Sequence, residues 1–201
     1  MNRNEFMSMV HPIMSQQEAN DVQLAYLLAK RLSKGQFRKE LDSSGNPVRY
    51  FEHLRRTALN VLKVGIADPF TIEAALLHDA IEDTDDVTLV PALIEKACGL
   101  TTAQVVRAVT KCPKANYLDR LRLGATNPAL HGRVQLVKLA DRLDNMSHLE
   151  NCSMEFIAKQ AKETKEVMLP FFMGVADCVA PEFKNGYNQM LTSLIVIANK
   201  L

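Results

Sequence analysis

Apolar side chains recur at the three-and-four spacing of an α-helix along nearly the whole chain. From Ser15 to Lys34 the face is built from Val22, Leu24, Leu27, Leu28 and Leu32. Ser15 followed by Glu18 has the form of a capping box opening that helix. Residues 36–49 break the period: Ser43, Ser44, Gly45, Asn46 and Pro47 read as a loop. A second helix is predicted from about Tyr50 to Val64, closed by Gly65. Asp68 and Pro69 then open a third, which carries Ile72, Ala75, Leu76, Leu77 and Ile81. Further helical stretches are predicted at about 88–98, 101–110, 128–149, 153–178 and 181–199. Lys111 to Pro128 reads as a loop around one short helix. Clean alternation over five residues is almost absent, so the expected class is all-α, a bundle of about eight to ten helices.

No repeat, low-complexity tract or domain boundary is visible, so 1–201 is expected to form one domain. Its core would span about 20–170, with helices from 171–201 packed on it. An apolar share of 47% with 23% charged residues excludes disorder as a description of the whole. Lys plus Arg number 24 against 23 Asp plus Glu, a net of +1, so no bulk attraction to nucleic acid or to an anionic membrane is expected. Continuous apolar runs fall short of the roughly 18 residues that a membrane span needs. The N-terminal segment, interrupted by Glu5, lacks the apolar core of a secretion signal, and a cytoplasmic location is expected. Cys98, Cys112, Cys152 and Cys178 show no CxxC spacing and are expected as buried or semi-buried thiols.

The chemistry concentrates in Leu76-Leu77-His78-Asp79-Ala80-Ile81-Glu82-Asp83-Thr84, where four polar side chains interrupt an apolar helix. On a continuous helix His78 and Glu82 share one face, as do Asp79 and Asp83. A helix end with solvated acids is the bland alternative; a His-Asp pair at the edge of a core calls for a partner or a metal. Lys138-Leu-Ala-Asp141-Arg-Leu-Asp144-Asn145 repeats the design. His53 lies on the preceding helix, where a hairpin could bring it to His78. Two imidazoles and two carboxylates suit an open octahedral divalent site, Mn²⁺ or Fe²⁺, better than a closed structural zinc site.

His53, then His78-Asp79, then Asp141 matches the H…HD…D signature of the HD-domain phosphohydrolases. LLHDAIEDT and VKLADRLDNM closely resemble the hydrolase domain of the RelA/SpoT-homologue family. Lys34-Gly35-Gln36-Phe37-Arg38-Lys39, Val109-Thr110-Lys111, Asn116-Tyr117 and Ala161-Lys162-Glu163-Thr164 resemble further family words, in order, across roughly 25–170. The resemblance implies an HD-domain helical bundle that removes the 3′-pyrophosphate of guanosine tetra- and pentaphosphate, with a nucleotide as its small-molecule partner. With Leu201 at the end of the chain, a small stand-alone alarmone hydrolase is expected.

By the same resemblance, His53, His78, Asp79 and Asp141 hold Mn²⁺, Fe²⁺ or another divalent ion, and Glu82 and Asp83 position or deprotonate the attacking water. Arg38 and Lys39 contact the nucleotide, Asn145 lies near the ribose, and Lys111 helps to neutralise phosphate. His148, seven residues after Asp141, returns to the same face and could reach the pocket. His11 and His131 read as solvated, Arg142 as the partner of a neighbouring acid, and the Met-rich N-terminus as packing or a flexible arm.

The chain departs from the family in three places. ELDSSGNP lengthens the segment between Lys39 and His53, Leu54 stands where Pro is usual, and Asp144 replaces a usual His. These cluster around nucleotide recognition. Two alternatives therefore stand beside the leading expectation: an HD phosphohydrolase for an adenine alarmone, a nicotinamide dinucleotide phosphate or a 5′-nucleotide, and an alarmone-binding module without turnover.

Overall fold

In the computed structural model of the chain, residues 1–82, 88–111, 116–127, 130 and 132–201 are described. Asp83, Cys112 and His131, singled out above, lie outside them. The Ser15 capping signal acts where it was read, and a second box that was not read opens the chain. Helix α1 (Arg3–Val10) opens with a reciprocal Asn2–Glu5 box, and α2 (Gln16–Leu32) with the Ser15–Glu18 box. Phe6, Met7 and Val10 bury α1 against the core, which makes the N-terminal segment packing rather than a free arm.

The buried stripe of α2 differs from the one expected. Ala19, Val22, Tyr26 and Ala29 face the core, whereas Leu24 and Leu27 are exposed. At 100° per residue the stripe through 22, 26 and 29 turns Leu24 and Leu27 away from it, and small alanines let α2 approach its neighbours closely.

The stretch 36–49 is a hairpin rather than a loop. Strands β1 (Phe37–Leu41) and β2 (Pro47–Arg49) pair antiparallel, Phe37 opposite Arg49 and Leu41 opposite Pro47. The Asp42 carboxylate accepts the backbone N–H groups of Ser44 and Asn46, each at 2.9 Å, and Gly45 takes the positive φ that the turn requires. Five and three residues are too few to show a period of two, which is why the pattern missed them.

Helices α3 (Tyr50–Lys63), α4 (Pro69–Leu77) and α7 (Arg133–Ser147) pack on one another and form the centre. Asp68 caps α4 through the Thr71 amide, with Pro69 in the first turn, as read from the sequence. Every residue of α4 from Thr71 to Leu77, and of α7 from Val134 to Asp144, is buried. Each fully buried Leu or Ile here, such as Ile72, Leu76 and Leu139, stabilises the fold by roughly 1.5–3 kcal/mol. Helices buried on all sides force their polar side chains inward as well.

The remaining helices surround this centre. Helix α5 (Leu89–Val109) is 21 residues long and apolar enough, by length and composition, to cross a membrane. Gly99, at φ 81° and ψ 173°, breaks it where a gap between two helices was expected. Helix α6 (Tyr117–Thr126) is the short helix expected between Lys111 and Pro128. The stretch predicted at 153–178 divides into α8 (Met154–Glu163), one wide π-turn over Thr164–Met168, and α9 (Leu169–Val175). Pro170 lacks the amide that a regular α-turn would use, and the widened turn accommodates its ring. Helix α10 (Pro181–Ala198) packs along α7. Its Gly186 lies where a Cβ would stand 2.8 Å from Ile66 Cδ1. Ten α-helical segments among the described residues, with a two-stranded sheet, agree with the expected all-α class.

Candidate metal centre

Three central helices bring four side chains to one point. His53 comes from α3, Asp141 from α7, and His78 and Asp79 from the end of α4. The sequence predicted an unbroken helix through Ile81, but α4 ends at Leu77. Ala80 N–H reaches back to Leu77 C=O at 2.9 Å and Glu82 N–H to Asp79 C=O at 3.1 Å, so the chain leaves in tight three-residue turns. Ending the helix there lets neighbouring side chains converge, which adjacent positions of a regular helix do not do.

The distances are short. His53 Nε2 lies 3.2 Å from His78 Nε2, 3.5 Å from Asp79 Oδ2 and 3.3 Å from Asp141 Oδ1. His78 Nε2 lies 3.1 Å from Asp79 Oδ2 and 3.6 Å from Asp141 Oδ1. Ligand atoms about 2.1 Å from one ion and at right angles to each other stand about 3 Å apart, so His53, His78 and Asp79 fit a single divalent cation, with Asp141 Oδ1 beside both rings.

Hydrogen bonding at the far side of each ring decides the tautomers. His78 Nδ1 lies 2.9 Å from Ala75 C=O, an acceptor only, so Nδ1 carries the proton. His53 Nδ1 lies 2.7 Å from Asp144 Oδ2 and donates to that carboxylate. Both Nε2 atoms then point at the same small volume, where a bound cation would take the place of the protons they otherwise carry. The carboxylates have their own holders. Tyr50 donates to Asp79 Oδ2 at 2.6 Å, Lys138 Nζ to Asp141 Oδ2 at 2.6 Å, and Asn145 Nδ2 to Asp141 Oδ1 at 2.6 Å.

The electrostatics agree. Burial by itself would lower the imidazole pKa values, but the carboxylates of Asp141, Asp144 and Asp79 outweigh it at His53, raising it to about 9. At His78, burial is outweighed mainly by Asp79 and Asp141, and the value rises to about 10. Burial would also raise the Asp141 pKa, yet Lys138 and the two histidines hold it well below the ordinary carboxylate range. A field that keeps protons on buried imidazoles is one that attracts a divalent ion.

Sequence reasoning missed most of the groups that position this set. Asp144, noted in the sequence only as replacing a usual His, orients His53 and binds Arg56 Nε at 2.8 Å. Arg56 forks onto Glu40 of β1 at 3.0 and 2.6 Å, tying the hairpin to the histidine. Tyr50 and Lys138 carried one signal: each lies three residues from a candidate ligand, His53 and Asp141.

Beside the cluster lies a groove of about 300 Å³ lined by Arg38, Lys39, Tyr50, Asn145, His148 and Phe156, among others. Arg38 donates to Asn145 Oδ1 at 2.5 Å and lies 5.7 Å over the Tyr50 ring, while Lys39 lies 5.4 Å over Phe156. His148, half-buried, bonds Asp144 Oδ1 at 3.2 Å, and that contact raises its pKa. The structure thus brings Arg38, Lys39, Asn145 and His148 together.

Glu82 and Lys111 stand apart from the groove, exposed and joined by a hydrogen bond from the Lys111 amide to the Glu82 carboxylate. Tyr117 separates Lys111 from the cluster, its ring 5.6 Å from Lys111 Nζ and 5.3 Å from Lys138 Nζ. Arg142 pairs with Glu163 at 3.2 Å, as its position beside Asp141 suggested, and His11 is solvent-exposed. Cys98 is buried and Cys152 half-buried, but Cys178 is exposed, contrary to expectation. It sits in the short turn Ala176–Cys178 between α9 and α10, where no face turns fully inward.

The HD domain profile matches residues 25–172. A guanosine-3′,5′-bis(diphosphate) 3′-pyrophosphohydrolase of Aquifex aeolicus is 38% identical over 158 residues, which cover 77% of this chain and 21% of that protein. The bifunctional (p)ppGpp synthase/hydrolase SpoT of Escherichia coli K12 is 35% identical over 156 residues, covering 73% and 20%. The chain therefore spans about a fifth of the length of these relatives. Among solved structures, a metazoan orthologue of SpoT, described as hydrolysing ppGpp, superposes with a TM-score of 0.55 at 24% identity, over 89% of this chain and 96% of that one. A profile match across most of the chain, on a helical fold that clusters His53, His78 and Asp79, shows that this chain belongs to the HD domain family.

Proposed function

We propose that the chain hydrolyses the 3′-pyrophosphate of guanosine tetra- or pentaphosphate, releasing pyrophosphate and GDP or GTP. The observation that carries this reading is the pair of imidazole Nε2 atoms 3.2 Å apart, flanked by Asp79 and Asp141 beside a basic, aromatic groove. His53, His78, Asp79 and Asp141 would hold one divalent ion, and their mixed nitrogen and oxygen donors suit Mn²⁺. Such an ion, when bound, supplies Lewis acidity toward a phosphoryl oxygen and acidifies water near neutral pH.

The protein's own groups do the rest. Arg38 and Lys39 neutralise phosphate charge in the groove, and the Arg38 plane, set over Tyr50, can stack on a base. Asn145, bonded to both Arg38 and Asp141, lies where a sugar oxygen would connect the groove to the cluster. His148 extends the donor wall, and Lys111 supplies charge beyond Tyr117. Glu82 sits one turn after Asp79 and would take up the proton of the attacking water, with Asp83 as its neighbour in that task. A free nucleotide substrate goes with a cytoplasmic location.

The test is pyrophosphate release from guanosine 3′,5′-bis(diphosphate) with Mn²⁺, comparing the wild type with Asp141→Ala. Release by the wild type and its loss in the variant are expected. A silent wild type, or an equally active variant, would sink the reading. Running adenine alarmone and nicotinamide dinucleotide phosphate in parallel reads base choice, where the long hairpin sets this chain apart.

A further inference from the structure

A larger cavity, of about 540 Å³, is lined by residues of α1, the end of α2, the hairpin and the start of α3. Its charged lining is Arg3, Lys30, Lys34, Arg49 and Arg55 against the single carboxylate of Glu52. Only Phe37 is shared with the groove of the metal centre. Five cations and one anion leave a local excess of four positive charges in a chain whose net charge is +1.

Several cations elsewhere in the molecule are matched by acids. Arg56, Arg107, Arg122, Arg133, Lys138 and Arg142 each stand within 4 Å of an acidic side chain. Arg3, Lys30, Lys34 and Arg49 form no ion pair among the described residues and are exposed at the cavity rim. Arg55 is different: its side chain is only 9% exposed, it engages Glu52 and the Met1 carbonyl, and its Nε is buried with no partner. Holding one guanidinium inside, incompletely paired, with four like charges around it costs free energy that a bound polyanion offsets. Tyr26 and Phe51, both buried and packed edge to face, form part of the cavity wall beside the charge. A volume above 300 Å³ suits a nucleotide-sized ligand.

We infer that this cavity is a second ligand site, for a phosphorylated small molecule of nucleotide size carrying two or more phosphates. Guanidinium groups fork phosphate oxygens, and the two lysine ammonium groups neutralise the remainder. The site stands on its own residues and does not depend on the reading of the metal centre.

The test is calorimetric titration of the full chain with pyrophosphate and with adenosine triphosphate, in chelator, so that binding at the metal centre is suppressed. The double variant Lys30→Gln/Arg49→Gln removes the charge of two exposed side chains and leaves them polar, and far-UV dichroism with a melting curve verifies its fold. Binding by the wild type, about 10-fold or more weaker in the double variant and retained in Arg38→Ala, is the expected result, with affinity falling as salt rises. The proposal is overturned if neither probe binds at millimolar concentration. Equal binding by the double variant overturns it too, as does loss on Arg38→Ala with the double variant intact, which would place the anion in the groove.

Discussion

Asp144 Oδ2 stands 2.7 Å from His53 Nδ1, and the same carboxylate binds Arg56, which in turn holds Glu40 on the hairpin. Burial would raise the Asp144 pKa, but hydrogen bonds from His148 and His53 hold it far below the ordinary range, so it is anionic at neutral pH. A carboxylate behind a ligating imidazole fixes the tautomer and raises ligand basicity. Asp144→Asn is therefore expected to weaken divalent-metal affinity by about 10–100-fold, measured by calorimetry with Mn²⁺ on the folded protein. Unchanged affinity would show that His53 is oriented by packing alone.

Lys138 is buried 2.6 Å from Asp141, and its removal leaves a buried carboxylate without its counter-charge. Lys138→Met should cost about 3–5 kcal/mol in urea unfolding without metal. Saturating Mn²⁺ should restore a large part of that loss, because the ion meets the same carboxylate. An equal loss with and without the ion would argue against Asp141 as a ligand.

Glu73, buried in α4, accepts a 2.6 Å hydrogen bond from Thr102, yet burial raises its pKa to about 7 against the ordinary 4.5. Between those two values the folded state keeps a proton that the unfolded chain has released. Stability from this group is therefore present below about pH 4.5, falls as pH rises to about 7, and is level above it. The full change is about 3 kcal/mol, from 1.36 kcal/mol per pH unit. Comparing urea midpoints at pH 5 and pH 8 for the wild type and Glu73→Gln checks this. The variant should lose much of the difference between the two pH values.

Arg38 touches both Asn145 and the Tyr50 ring at the groove. Arg38→Ala is expected to raise KM for the nucleotide about 10-fold with a smaller change in kcat, because under the proposed function it would meet the nucleotide rather than the reacting phosphorus. Steady-state kinetics on guanosine 3′,5′-bis(diphosphate) separates the two. A fall in kcat alone would move Arg38 from binding to transition-state stabilisation.

Local signals carried well wherever the deciding interaction lies within about four residues. The Ser15–Glu18 box, the Asp68–Pro69 start and the Gly65 stop all act on backbone groups one turn away. The hairpin escaped because its turn is made by Asp42 bonding two amides over strands too short to alternate. The π-turn before α9 was written in Pro170, but an apolar period continues through it and masks the break.

At the site, resemblance pointed to His53, His78, Asp79 and Asp141 as a set, and the structure brings their ligand atoms within 3.1–3.6 Å of the two imidazole Nε2 atoms. Asp144 was visible only as an exception to a pattern. Its partners Arg56 and Glu40 lie 88 residues and more away along the chain, where no periodic argument reaches.

By itself, the order of residues determined the helical class, the main caps and the presence of polar groups inside apolar segments, because those follow from backbone hydrogen bonding and side-chain spacing over one or two turns. Only the tertiary structure decided that α4 stops at Leu77, which imidazole nitrogens face each other, and that one carboxylate ties the metal centre to the hairpin. Those depend on how α3, α4 and α7 approach one another, and that approach is set by the packing of whole buried surfaces rather than by any neighbouring pair.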